Sequence, residues 1–343
     1  MVLKVGINGM GRIGRLFLRA ALDDPRYGKE FEVVAFNELA DTKTTALLLK
    51  YDSVHRKLNR EISYTDKSII IDGKELRAYS IKDPSQIPWS ENGVELVVEA
   101  TGQFTSKSDA SKHIRGTVKK VLVTAPCKDA DVTIVPGVND HMLDLSKHDV
   151  VSAASCTTNC LAPMVKVLLD EFGIKKGFMT TVHAYTNDQR VLDLVHRDLR
   201  RARAASLSII PTTTGAASAL HLVIPEVKGK MDGIALRVPV PDGSVTDLMV
   251  HLEREVTVDE VKRAFKKAAE GRMKNILEYT EDPIVSADVI GNPHSCIIDG
   301  LSIMVIGEKS DVVKVLGWYD NEYGYSCRLV DVVCMIAKKL QSS

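Results

Sequence analysis

Apolar and polar positions follow two different rhythms along this chain. Through about residue 155, short apolar runs recur between polar or helical stretches. The first, LKVGI (3–7), breaks into NGMGRIGR and then LFLRAAL, whose spacing predicts a helix. EFEVVAFNE (30–38) follows where a strand–helix–strand crossover would deliver its second strand. SIII (68–71), ELVVEATG (95–102), KKVLVTAP (119–126), TIVPGVN (133–139) and DVVSAAS (149–155) continue the series. Apolar strands alternating with helices predict an α/β fold built on a doubly wound, mainly parallel sheet.

Beyond Pro163 the rhythm changes. A helical run, MVKVLLDEFG, leads to GFMTTVHAYT and then to a basic stretch, QRVLDLVHRDLRRARAA. Longer alternating runs follow, DGIALRVPV and VTDLMVHLERE, and these predict an α+β domain with a large mixed or antiparallel sheet. Leu329, Val332, Val333, Ile336 and Leu340 stand at helical spacing, so a final helix is expected to pack back on the first domain. The expected division is 1–155 with 320–343, against 156–319.

Composition narrows the function without choosing it. The 343 residues carry 45 basic and 45 acidic side chains, so no overall charge draws the chain to nucleic acid or an anionic membrane. Any anion site is therefore local. No apolar run approaches the ~20 residues of a membrane helix, and the N-terminal residues read as strand and turn rather than a signal peptide. Six scattered cysteines suit a reducing cytoplasm.

Two stretches carry chemistry. Gly9-Met10-Gly11-Arg12-Ile13-Gly14 fits G-x-G-x-x-G between a predicted strand and a predicted helix, the setting of a Rossmann dinucleotide loop. Its glycines let a pyrophosphate approach backbone N–H groups at the positive end of the helix. Glu38 lies 24 positions beyond Gly14, near the ~20 expected for a carboxylate that binds a ribose 2′-hydroxyl. A carboxylate there repels a 2′-phosphate and favours NAD over NADP. A glycine turn without ligand and a solvated strand-end charge are the plain alternatives.

The second stretch, SAASCTTNCLAP (152–163), places Cys156 and Cys160 four apart. Metal ligation would need two further soft or imidazole ligands at a recognisable spacing, and His183, His196 and Cys296 are too scattered to supply them. Buried packing suits Cys160. Cys156 is expected at a helix N-terminus, where unpaired N–H groups favour thiolate, and Pro163 is expected early in that helix. His183, on the following strand pattern, is the candidate base for a cysteine–histidine pair.

INGMGRIGR, LLKYDSVH, ASCTTNCLAP, TTVHAYTNDQR, DLRRARAA, IPTTTGAA and WYDNEYGYS together resemble the phosphorylating glyceraldehyde-3-phosphate dehydrogenases of bacteria, over essentially the whole chain and in the same order. The resemblance implies that Cys156 attacks the aldehyde of D-glyceraldehyde 3-phosphate and that His183 takes the proton as hydride leaves to NAD. Inorganic phosphate then resolves the thioester to 1,3-bisphosphoglycerate. It assigns Thr186 and Arg237 to the substrate phosphate. Ser155, Thr157, Thr214 and Gly215, with Arg201 nearby, fall to the incoming phosphate. On the cofactor side it assigns Arg12, Ile13, Lys82, Thr124 and Asn321, the last to the nicotinamide carboxamide. It also implies a cytoplasmic homotetramer with the basic stretch at its centre.

The chain departs from the family pattern at several points. Glu38 stands for the usual aspartate, as in the related erythrose-4-phosphate dehydrogenases. Val195 stands for a proline that helps exclude NADP, which leaves dual cofactor use open. Ala153, Met10 and Arg56 replace asparagine, phenylalanine and glycine. No metal is implied.

Overall fold

The computed structural model describes residues 2–341. By contact density the chain forms two compact units. One comprises residues 1–134, 140–154 and 326–343; the other comprises 135–139 and 155–325. Residues 135–139, Ser155 and 320–325 therefore go with the second unit, although the expected division gave them to the first.

In the first unit, strands Val150–Ser152, Lys120–Val123, Leu96–Glu99, Leu3–Asn8, Phe31–Asn37 and Lys74–Tyr79 lie side by side in that order, all parallel. Leu3–Asn8 is central, and chain order reverses on either side of it, so the strand ends splay apart beside it and leave a crevice. Ser68–Ile71 and Ile62–Thr65 extend one edge antiparallel. Of the TIVPGVN run only Thr133 pairs, in the two-residue strand Val132–Thr133; Pro136 and the left-handed Gly137 follow it and end the ladder. Leu96–Glu99 and Lys120–Val123 are buried on both faces, which is why they read as continuous apolar runs. The helix Tyr323–Gln341 places its residues from Ser326 onward in this unit. Leu329, Val332, Val333 and Ile336 are buried there, and Arg26 joins Asp331 at 2.7 Å.

The second unit is built on a mixed sheet ordered Ile210–Thr213, Met231–Val238, Ile174–Ala184, Ser244–Val256, Ser310–Tyr319, Cys296–Asp299 and Leu277–Thr280. Ile174–Ala184 and Met231–Val238 run parallel, with His183 in register with Arg237. The long central ladders are antiparallel. The helix Cys156–Phe172 packs on this sheet and buries nearly every side chain of its first three turns. Pro163 is its eighth residue, well inside rather than at the start; close burial on the sheet holds the helix together across the missing N–H. Among the described residues no helix is long and apolar enough to cross a membrane.

Arg56 adopts φ 65°, a left-handed conformation, just after the turn that joins Tyr51–Asp52 to Arg56–Lys57. The resemblance gives glycine at this position, and the φ value supplies the physical reason for one. Arg56→Gly removes the side-chain penalty and is expected to raise stability by about 0.5–1 kcal/mol in thermal or urea unfolding. A loss of stability would show that the arginine side chain makes an offsetting contribution.

Candidate active site and cofactor cleft

The glycine loop divides its labour by position. Gly9 sits at φ 93°, and a Cβ added there would meet Thr101 at 2.9 Å. A Cβ on Gly14 would stand 2.0 Å from the Gly9 carbonyl oxygen, so only glycine lets helix and strand approach this closely. At Gly11 nothing lies within 4 Å of the added atom. That open position faces a cleft of about 1050 Å³ lined by Asn8, Gly9, Gly11, Glu38, Lys82 and Thr101, among others. The helix Arg12–Asp23 starts here with no capping side chain and no acid in its first turn. Its N-terminus is thus left to an anion.

Glu38 is fixed rather than mobile. One carboxylate oxygen accepts the Met10 N–H at 2.8 Å, and the other accepts those of Leu39 at 2.7 Å and Ala40 at 3.3 Å. An uncapped helix start, a backbone open at Gly11 and an anchored carboxylate together fit the pyrophosphate and ribose of a dinucleotide. Arg12, however, pairs with Asp52 at 2.5 Å. That ion pair, with the Val54 and His55 N–H groups, holds the Asp52 carboxyl down at about 2 although burial opposes its charge. Ile13 and Thr124 do not line the cleft; the Thr124 N–H donates to the Glu99 carbonyl at 3.0 Å.

Beneath the cleft lies a buried network that composition gave no sign of. Asn8 donates to Glu99 at 2.6 Å, and Asn37 donates to Asn8 at 2.8 Å. The Trp89 indole donates to Nδ1 of His113 at 3.1 Å, which leaves Nε2–H to donate to Glu99 at 3.0 Å. Thr101 completes the shell around Glu99 by donating its N–H at 2.9 Å.

In the second unit, Ser155 caps the helix Cys156–Phe172, accepting the Thr158 N–H at 3.0 Å. Cys156 is the first helical residue. Its Sγ lies 3.4 Å from Nε2 of His183. On the far side of the ring, Nδ1 lies 2.7 Å from the Ala184 carbonyl oxygen and 2.5 Å from Nη1 of Arg237, which also donates to that carbonyl at 3.0 Å. Two proton arrangements are open to this cluster. With Nδ1–H on the Ala184 carbonyl, Nε2 accepts the thiol proton. With Nδ1 accepting from Arg237, Nε2–H donates to a thiolate.

Burial opposes charge on either partner. It pushes the Cys156 thiol up to about 11, with Arg237 and Thr157 pulling the other way. It brings His183 down to about 3, and the Arg237 charge adds to that. Burial thus works against the helix N-terminus at Cys156, while Arg237 and Thr157 work with it. A proton passed across the 3.4 Å contact would give thiolate and imidazolium side by side. Asp242, buried beside Asp320, is pushed upward, mainly by burial and then by its neighbour's charge, and any charge it carries adds to what raises the Cys156 thiol.

The other proposed anion ligands are partly engaged. The Thr157 hydroxyl bonds Tyr319 at 3.0 Å, and Tyr319 bonds Thr181 at 2.8 Å, with its ring edge-on to His183 at 6.0 Å. Arg201 pairs with Asp188. Thr214 accepts the Ala216 N–H at 3.2 Å, and Gly215 is the N-cap of the short helix Ala216–Ala219. Thr186 donates its N–H to Gln189 at 3.3 Å. Arg237 Nε and Gln189 Nε2 are buried without a partner. Asn321 accepts from Ser244 at 2.6 Å. Tyr319, Gln189 and Ser244 escaped sequence reasoning because each is an ordinary residue until the sheet brings it to this end. Cys160 is fully buried, one turn along the helix.

Comparison with known proteins agrees with this geometry. Residues 3–107 match the family model described as glyceraldehyde 3-phosphate dehydrogenase, NAD binding domain, and 155–321 match the C-terminal domain of the same enzyme. Glyceraldehyde-3-phosphate dehydrogenase 2 of Streptomyces avermitilis is 58% identical over 340 residues, 99% of this chain and 100% of the relative. The Streptomyces coelicolor enzyme is 59% identical over 99% of this chain and all of its own length. That of Geobacillus stearothermophilus is 57% identical over 99% of each. With both halves matched and relatives aligned end to end, the chain belongs to the glyceraldehyde-3-phosphate dehydrogenase family.

Proposed function

We propose that this protein oxidises D-glyceraldehyde 3-phosphate to 1,3-bisphosphoglycerate with NAD and inorganic phosphate, through a thiohemiacetal and a thioester on Cys156. The contact of Cys156 Sγ with His183 Nε2 at a helix start carries this reading. His183, neutral with Nε2 free to accept, takes the thiol proton as sulfur adds to the aldehyde carbon. The resulting imidazolium is destabilised by burial and by Arg237, so it readily returns a proton to the oxyanion formed. His183 then removes the hydroxyl proton of the thiohemiacetal as the carbon is oxidised. Bound NAD supplies the hydride acceptor. Phosphate attacks the thioester, and the sulfur leaves as a thiolate toward Nε2–H.

Thr186 and Arg237 are assigned to the substrate phosphate. Ser155, Thr157, Thr214 and Gly215, aided by Arg201, are assigned to the incoming one. Partnerless donors on buried Arg237 and Gln189 support an anion here, since a buried N–H without an acceptor costs about 1–3 kcal/mol. Gly9, Gly11, Arg12, Ile13, Gly14, Glu38 and Lys82 are assigned to the dinucleotide, with Asn321 to its carboxamide. Thr124 is assigned to the adenosine side on the resemblance alone, since it does not line the cleft. Val191, Leu192, Leu194, Val195, Leu199 and Leu207 are exposed on one segment, and Phe178, Ile234 and Met249 on the outer sheet. Apolar surface of this extent supports a homotetramer, whose solution mass would be four times the chain's. Six unbridged cysteines suit the cytoplasm.

The deciding assay follows NADH formation from glyceraldehyde 3-phosphate with and without phosphate. Turnover should require phosphate, and Cys156→Ser should abolish it while NAD still binds. Phosphate-independent turnover would favour the erythrose-4-phosphate type of chemistry and reject this reading.

Arg237 favours the thiolate, so Arg237→Leu should move the pH midpoint of Cys156 alkylation by iodoacetamide, a neutral reagent, upward by about one pH unit. A midpoint that stayed in place would remove Arg237 from the thiol's electrostatics. Glu38→Gln keeps a hydrogen-bond acceptor but loses the charge. The NADP-to-NAD ratio of kcat/KM should then rise by ~10-fold; an unchanged ratio would mean that selectivity resides elsewhere, with Val195 the next position to vary.

A further inference from the structure

Ser244 opens the strand Ser244–Val256, which runs between Ile174–Ala184 and Ser310–Tyr319. Its register places it opposite Tyr319, while Val245 lies opposite Val182. The residue thus stands between the end of the strand that carries His183 and the end of the strand that leads to Asn321. Gly243 sets up this entry. It holds φ 82°, and a Cβ there would stand 2.1 Å from the Ser286 carbonyl oxygen.

Ser244 is 0% exposed and Asn321 5%. The Ser244 oxygen accepts the Ala184 N–H at 3.1 Å, and its hydroxyl lies 2.6 Å from Asn321 Oδ1. A serine hydroxyl has one proton and two lone pairs. With one lone pair taken by Ala184, donation to Oδ1 satisfies the proton. If the Asn321 amide were turned over, its NH2 would donate to the same oxygen, and a fully buried hydroxyl proton would have no acceptor among the described residues. The hydroxyl therefore dictates which end of the amide is oxygen. The amino end is left without a protein acceptor among the described residues, free for a ligand carbonyl.

We propose that Ser244 is a positioning residue for the nicotinamide end of NAD: it locks the Asn321 amide with its amino group presented to the cofactor's carboxamide oxygen. Through Ala184, it ties that amide to the backbone next to His183. The proposal rests on the assignment of Asn321 under the proposed function. A carboxamide is the handle by which a site tells one rotational setting of a nicotinamide ring from its opposite, so a fixed donor fixes the ring face that is offered. Ala184 is the hub. Its carbonyl faces His183 and Arg237, while its N–H faces Ser244.

The test is calorimetric binding of NAD and of ADP-ribose, which lacks the nicotinamide, to Ser244→Ala, Asn321→Ala and the double variant. For Ser244→Ala the NAD Kd should rise about tenfold while ADP-ribose binding is unchanged, and the double variant should bind NAD no more weakly than Asn321→Ala alone. A general structural role would weaken both ligands equally and would overturn the proposal. So would additive effects in the double variant, or a Ser244→Ala protein that binds NAD normally while Asn321→Ala does not. If Asn321→Ala itself binds NAD normally, the assignment of Asn321 fails and takes the proposal with it. Should Ser244→Ala not fold, Ser244→Cys, similar in shape and a weaker donor, is put through the same comparison with the same expected split.

Discussion

A sulfur with little water around it resists ionisation, and the end of the second unit that holds Cys156 is organised around that cost. Burial raises the Cys156 thiol, and burial together with the Arg237 charge brings His183 well below its ordinary value. Neither can hold a charge independently at modest cost, but one proton can pass between them without creating net charge. The pair is useful because its members are 3.4 Å apart and because Arg237 weights the balance toward thiolate. Sheet register imposes this arrangement. His183 and Arg237 are neighbours on parallel strands, and the helix that begins at Cys156 lies on the same sheet.

The same sheet end gathers groups that do no chemistry of their own. Tyr319 bridges Thr157 on the helix and Thr181 on the histidine strand, bracing the two elements that carry the reacting pair. Ser155 spends its hydroxyl on the helix cap, so its part in anion binding would come from the helix start it secures as much as from direct contact. Ala154, just before it, is held at φ 56°, a strained setting for alanine that turns the chain sharply into the helix. Strain next to a nucleophile is tolerable where the helix beyond it is buried along most of its length.

Under the proposed function the first unit has a different problem, which is to receive a large anion without spending side-chain charge on it. The open backbone at Gly11 and the uncapped helix start do this with peptide groups, while Arg12 is committed to Asp52. Glu99, His113, Trp89 and Asn8 form a closed set of hydrogen bonds below, so the cleft floor carries polar groups whose donors and acceptors are matched.

Much of this was legible in the residues alone. Continuous apolar runs revealed the parallel sheet because strands buried on both faces cannot alternate. The glycine loop and Glu38 could be singled out because backbone freedom and spacing along one strand–helix–strand unit are written in the residues. Cys156 and His183 could be singled out since both belong to one helix–strand unit, close in sequence. The helix extent around Pro163 and the fate of the TIVPGVN run were not legible, because packing in the assembled sheets decides both. Ser244 and Tyr319 acquire their meaning only from strand register, which brings together residues up to 138 positions apart. Sequence determined which groups could do chemistry; tertiary structure decided which of them meet, and what charge they can bear once water is gone.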